Sequence, residues 1–149
     1  MKTIKKNVYY CDFCKKHGLS AGAIAKHEKH CTGNPDRECR LCGNSINVGE
    51  VAKKLSSRFK LVDEPEKDIP EFVTIRVEWI GEEITMNELD NLSESCPICK
   101  LAIMRQSKLT HWVFSDTELR FHYLEELKDF WADKNREEQK REEMREMYY

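Results

Sequence analysis

Apolar residues recur along this chain with two periods. Between residues 72 and 79, Val73, Ile75, Val77 and Trp79 alternate with Thr74, Arg76 and Glu78, which predicts a half-buried strand. Behind Asn47, a good N-cap, Val48, Val51, Ala52, Leu55 and Phe59 fall on one face and predict an amphipathic helix. Shorter signals precede it: Val8, Tyr9 and Tyr10 as a small strand, a turn at Gly18, and a helix opened by Ser20. Thr32-Gly33-Asn34-Pro35 should stop that helix, because Gly supplies a left-handed cap and Pro cannot continue the helix. Thr85 with Glu88, and Ser115 with Glu118, have capping-box spacing and predict a short helix through Leu92 and a long one later. Another helical stretch is expected over residues 100–108, and the acidic residues 63–71, with Pro65 and Pro70, read as a loop.

The long helix changes character midway. Leu119, Tyr123, Leu124, Leu127, Phe130 and Trp131 form an apolar stripe, but residues 133–145 are almost all charged. The first half should pack on the body and the second project into solvent, with Glu137 and Arg141 paired four apart.

Composition sharpens this picture. With 149 residues, 40% hydrophobic and 35% charged, the chain has room for one or two small domains with a modest core, so something besides apolar burial is expected to support the fold. No window approaches the roughly 18 apolar residues of a membrane span, and the basic start is not followed by an apolar run. A cytoplasmic protein without an export signal or a membrane partner is expected. The net charge of −2 hides an asymmetry: residues 1–60 carry 13 basic and 5 acidic side chains, a charge of +8, and residues 61–149 carry 12 and 22, a charge of −10. One half can approach phosphates, and the other should be repelled by them.

Six of the seven cysteines form three C-x-x-C pairs, which in a reducing compartment points to metal rather than to disulfides. Zinc takes four soft or borderline ligands in a tetrahedron. A C-x-x-C knuckle presents two thiolates from one turn, and two ligands four apart on a helix present two more. Cys11 and Cys14, followed after twelve residues by His27 and Cys31, meet that requirement. His30 lies on a different helical face from His27 and reads as a surface residue.

This spacing resembles the two-Cys two-His zinc finger in its variant with a final Cys, over roughly residues 8–35. Ile24 stands at the helix core position of that family, and Thr32-Gly33-Asn34-Pro35 is similar to a shortened inter-finger linker. Gly18 replaces the family's aromatic, so the small core is expected to rest on Leu19, Ile24 and Tyr9 or Phe13. The family's base-reading positions fall on Ser20, Ala23 and Lys26, of which only Lys26 has reach, so sequence-specific reading is not implied. Lys15, Lys16, Lys26 and Lys29 can contact phosphates without reading sequence.

Cys39 and Cys42, followed by Gly43, form a second knuckle, and Cys96 with Cys99 is its complement: four thiolates remain once the first site is filled, and four are needed. The pair of pairs resembles a zinc ribbon or treble clef in which the second pair opens a helix. The expectation is thus an α+β protein of small zinc-stabilised modules holding two structural zinc ions. It divides into a finger over 1–35, a four-cysteine domain with inserted strand and helices over 36–132, and a charged helical extension over 133–149.

A redox C-x-x-C would want a surrounding alternation of strands and helices that is lacking, and four thiolates leave no open position for a catalytic water. A treble-clef nuclease of the His-Asn-His kind would have to draw on His111 and His122, which stand in no matching motif. The reading is therefore a non-enzymatic regulatory or adapter protein without a small-molecule substrate. It would meet nucleic acid non-specifically through its basic half and a protein partner through its acidic half, or act as a protein-only adapter or inhibitor. The stretch from Cys11 to Cys42 is also similar to small zinc-finger proteins encoded by bacteriophages, which implies the cytoplasm of an infected host and carries no activity with it.

Overall fold

The computed structural model describes residues 5–43, 46–65, 73–109 and 121–147. Its architecture is α+β: two small antiparallel hairpins, four short helices and one long C-terminal helix among the described residues. In the first hairpin β1 (Tyr9–Tyr10) pairs with β2 (His17–Gly18), Tyr9 opposite Gly18 and Tyr10 opposite His17. Helix α1 (Ala21–Glu28) follows, capped by Ser20 Oγ, which accepts from the Ala23 amide at 3.3 Å. Its buried side chain is Ile24, and the finger core consists of Ile24 with Cys11 and Cys31. Leu19 is 61% exposed and does not join it, nor do Tyr9 and Phe13, which are exposed too. A Cβ on Gly18 would lie 3.4 Å from Ile24 Cδ1, so Ile24 fills the room that an aromatic would otherwise take.

Helix α2 (Val48–Ser56) starts at Asn47, whose Oδ1 accepts from the Glu50 amide at 3.1 Å. Phe59 was expected on this helix; instead the chain turns at Ser57 and Arg58, and Phe59 opens β3 (Phe59–Pro65). That strand pairs with β4 (Val73–Trp79), Phe59 opposite Trp79 and Asp63 opposite Ile75. Residues 63–65, expected as loop, are therefore strand. Pro65 sits at the last pair of a two-stranded ribbon, where a missing N–H is tolerated. Of the face expected to be half-buried, Val77 and Trp79 pack on the core while Ile75 is exposed, so only the base of the hairpin is anchored.

Helix α3 (Met86–Leu92) begins as expected at Thr85, whose Oγ1 accepts from the Glu88 amide at 3.2 Å. Glu94 and Ser95, both with positive φ (51° and 56°), then turn the chain into helix α4 (Pro97–Gln106). Non-glycine residues in this region cost roughly 1–2 kcal/mol each, a strain held by the Ser95 amide on the Asp90 carbonyl at 2.8 Å. Helix α4 starts three residues before the expected position because Pro97 suits the first helical turn, where no N–H partner is lost. Val48, Leu55, Phe59, Ile84, Leu89, Ala102, Ile103, Met104 and Leu109 form the main core. Burying a side chain such as Leu89 or Ile103 contributes about 1.5–3 kcal/mol.

Helix α5 (Tyr123–Met147) has no buried residue. The expected stripe packs only in part: Tyr123, Leu127 and Phe130 are half-buried, whereas Leu124 and Trp131 are exposed. Polar contacts hold it instead, namely Glu126 on the buried Lys100, which also meets Asp90, and Lys134 Nζ donating to the Leu41 carbonyl at 3.3 Å. Residues 133–147 are exposed, with Glu137 and Arg141 3.7 Å apart. Leu119, the Ser115 and Glu118 box, His111 and the capping of α5 by that box lie outside the described residues.

The segment after α1 is tied on both sides. Asn34 Nδ2 donates to the Glu28 carbonyl at 2.9 Å, and the Glu38 amide to the Lys29 carbonyl at 2.9 Å. From α4, Arg105 donates to Thr32 Oγ1 at 2.8 Å and Gln106 to the carbonyls of Thr32 and Asn34 at 2.9 Å each. Pro35 packs on the first turn of α2 so closely that a Cβ on Gly49 would come within 2.6 Å of its ring.

Candidate metal centres

Cys11, Cys14, His27 and Cys31 bring their ligand atoms within 4.8 Å of one another, and so do Cys39, Cys42, Cys96 and Cys99; each cluster can hold a metal ion. In the first, the β1–β2 hairpin supplies the knuckle, closed by the Cys11 amide on the Lys16 carbonyl at 2.9 Å. The amides of Phe13 and Lys16 point at Cys11 Sγ and Cys14 Sγ, both at 3.4 Å, as donors to thiolates should. His27 Nε2 lies 3.2 Å from Cys14 Sγ. The ligand pair expected on one helix is split: α1 ends at Glu28, and Cys31 follows on the next turn, where its amide reaches the Glu28 carbonyl at 3.2 Å. His30 turns away, its Nδ1 2.9 Å from the Glu38 carbonyl oxygen, and is half-buried rather than free on the surface.

The second cluster is deeper, with Cys96 and Cys99 essentially without solvent contact and Cys39 6% exposed. Cys96 is the N-cap of α4 yet makes no side-chain cap bond, because its sulfur faces the cluster. Cys39 Sγ lies 3.7 Å from Cys96 Sγ, and Cys42 Sγ 3.7 Å from Cys99 Sγ. A disulfide would need about 2.0 Å. A tetrahedron with metal–sulfur arms of about 2.3 Å has edges of about 3.8 Å, so these two pairs stand at the separation of a metal-bound edge, and all four sulfurs lie within 4.8 Å of one another.

Arg37 supplies an independent test of fit. It is 4% exposed, its Nη1 donates to Cys99 Sγ at 3.6 Å, and its Nε has no hydrogen-bond partner among the described residues. A buried guanidinium wants a counter-charge. Without a metal Cys99, the sulfur that Arg37 meets, keeps its proton and Cys96 alone is lowered, whereas four thiolates around a divalent ion carry a net charge of about −2. The cluster and the arginine make sense together once a metal is bound.

Protons on the free thiols are unevenly held. The Lys16 amide, then His27, lower Cys14 to about 7, while burial pushes Cys31 up. In the second cluster the hydrogen bond from Cys99 brings Cys96 down to about 5, and the same bond, with burial, pushes Cys99 up. Cys14 is also exposed. As metal is withdrawn it is expected to be the first cysteine alkylated by iodoacetamide, because it is the ligand open to solvent while Cys96 and Cys99 are enclosed. Peptide mapping that finds Cys96 or Cys99 modified first would contradict this.

All four lysines expected to meet phosphate are exposed. Lys29 is engaged, its Nζ 2.9 Å from Glu38 Oε2. Lys16 and Lys26 line a shallow hollow of about 280 Å³ with Ala23, His27, His30 and Arg40. Arg40 escaped the sequence reading because nothing in the spacing of the second knuckle says that it faces α1. His122 is exposed just before α5. No helix of the described residues is long and apolar enough to cross a membrane. Compared with known proteins, the chain matches no family model, no curated protein and no solved structure, so the likeness to bacteriophage proteins rests on the Cys11–Cys42 spacing alone.

Proposed function

We propose that the protein is a zinc-binding regulatory or adapter protein that holds nucleic acid through its basic half and a protein partner through its acidic half. Zinc is the metal that three thiolates with an imidazole, or four thiolates, suit best. Both sites are closed, so zinc here would stabilise the fold and activate no water.

The observation that carries the nucleic-acid reading is the exposed Lys15, Lys16 and Lys26, joined by Arg40 across the hollow beside the first centre. Ser20, the cap of α1, and Ala23 within it are exposed and have no side chain able to make a bidentate base contact, so contacts to the backbone would dominate. Changing Lys15, Lys16 and Lys26 to Gln together should weaken binding to mixed-sequence DNA or RNA. The slope of log affinity against log salt should flatten by roughly 0.7–0.9 per lost contact. Lys29→Gln should change it least, since Glu38 already offsets that charge. An unchanged slope in the triple variant would refute the basic-face reading.

One observation favours a protein-only adapter as the second reading. Asp90, Glu126, Asp129, Asp133 and Glu137, five acidic side chains against Lys100 and Lys134, line a groove of about 490 Å³ between α5 and the turn into α4 and leave it net acidic although Lys100 pairs with Asp90 and Glu126. A partner with a basic segment suits it. Absence of any nucleic-acid binding at low salt would leave this groove as the place to look.

A further inference from the structure

Of the twelve exposed large apolar side chains among the described residues, five fall between residues 8 and 19: Val8, Tyr9, Tyr10, Phe13 and Leu19. The finger core does not use them, since Ile24 and two cysteines fill it. The hairpin register explains what the most exposed of them does. Tyr9 pairs with Gly18, whose missing Cβ faces Ile24, so that side of the ribbon looks inward. Successive strand residues point to opposite faces, so Tyr10 and its partner His17 share the outer one. Tyr10 is 66% exposed, and its ring lies 5.4 Å from that of His17 at an interplanar angle of 35°. Two rings thus stand ready on a ribbon fixed at one end by Cys11 and at the other by the turn to α1.

Resting on the nucleic-acid reading above, we propose that the ligand of this half is a single strand, with a base stacking on Tyr10 beside His17 and with Phe13 as a neighbouring apolar contact. Charge selects nucleic acid over protein. Lys5, Lys6, Lys15 and Lys16 are all exposed within the same stretch, residues 5–18, where Asp12 is the one acidic residue. Aromatic rings interleaved with lysines form the usual surface for single strands, where the backbone follows the charge and bases lie on the rings. A duplex hides its base faces in its own stack, so Tyr10 would gain nothing there without unstacking a step. Stacking also tolerates any base, which agrees with a helix α1 that carries Ser20 and Ala23 where base-reading side chains would be needed.

The test compares a labelled mixed-sequence single strand of about 12 nucleotides with the duplex of the same length, by fluorescence anisotropy on the full chain. The single strand should bind tighter. Tyr10→Leu keeps apolar bulk but removes the ring, and should weaken single-strand binding about tenfold with the salt slope unchanged and duplex binding untouched. Tyr10→Phe should restore it. The exposed position makes misfolding of these variants easy to check, since metal content per chain should stay at the native value. Equal affinity for both forms, or a Tyr10→Leu change that costs nothing or weakens both alike, overturns the single-strand assignment while leaving the basic-face reading standing. Failure to bind either form at low salt overturns both and hands the aromatic face to a protein partner.

Discussion

Replacing Cys99 by Ser should unfold the whole body, residues 46–65 and 73–109, and not merely open one site. Cys99 stands in the first turn of α4, the helix that gives the main core Ala102, Ile103 and Met104, and its cluster partners Cys39 and Cys42 come from far along the chain. A metal held there would close a long loop as well as anchor a helix. A structural zinc contributes on the order of 10 kcal/mol to folding, comparable with the roughly 5–15 kcal/mol that is the entire stability of a typical domain. Cys14→Ser should act differently, unfolding residues 8–31 while the β3–β4 hairpin stays protected, because Cys14 holds only the hairpin and α1. Amide hydrogen exchange reads both, and metal content should fall from about two per chain to about one in either variant. Equal, local loss of protection in the two variants would contradict the organisation into two centres.

The second large effect is expected at Arg37. Removing one partner of a buried charge pair costs about 3–5 kcal/mol, and Arg37 is the guanidinium that meets Cys99 inside the body. Arg37→Met should therefore weaken metal retention at the four-cysteine site by a hundredfold or more, since each tenfold is about 1.4 kcal/mol. The finger site should keep its affinity. Arg37→Lys, which retains charge without the planar fork, should recover part of the loss. Competition with a chromogenic chelator resolves the two sites in turn. If Arg37→Met releases the second metal no faster than the native chain, the guanidinium is not its counter-charge.

The cysteine spacings made both clusters readable, because a tetrahedral ion wants two close pairs of donors, here a knuckle with His27 and Cys31 and a knuckle with a second knuckle. Local caps were readable for the same reason: Ser20, Asn47 and Thr85 each satisfy an amide within three residues. What spacing cannot encode is which distant surfaces meet. Phe59 continues the apolar period of α2, yet it pairs with Trp79 at 5.8 Å between ring centroids, and that contact starts a strand where the pattern extends a helix. The acidic run after it offered no alternation to announce β3. Leu19 resembled a core residue until Ile24 took the space above Gly18. In α5 the apolar stripe suggested burial, but the buried Lys100 draws the helix in through Glu126 instead. Arg37 and Arg40 both count among the basic side chains of residues 1–60, and only the fold separates the buried guanidinium beside Cys99 from the surface cation.

Residues 32–38 are bonded to α1 on one side and to α4 on the other, through Asn34, Glu38, Arg105 and Gln106. With no slack in that joint, the finger and the body should tumble as one object in solution. Nuclear relaxation should then report a single rotational correlation time for both, instead of the two that a flexible tether would give. A strand laid across Tyr10 would keep a fixed bearing to the acidic groove under α5, so that the two ends of the molecule act as a ruler between whatever each of them holds.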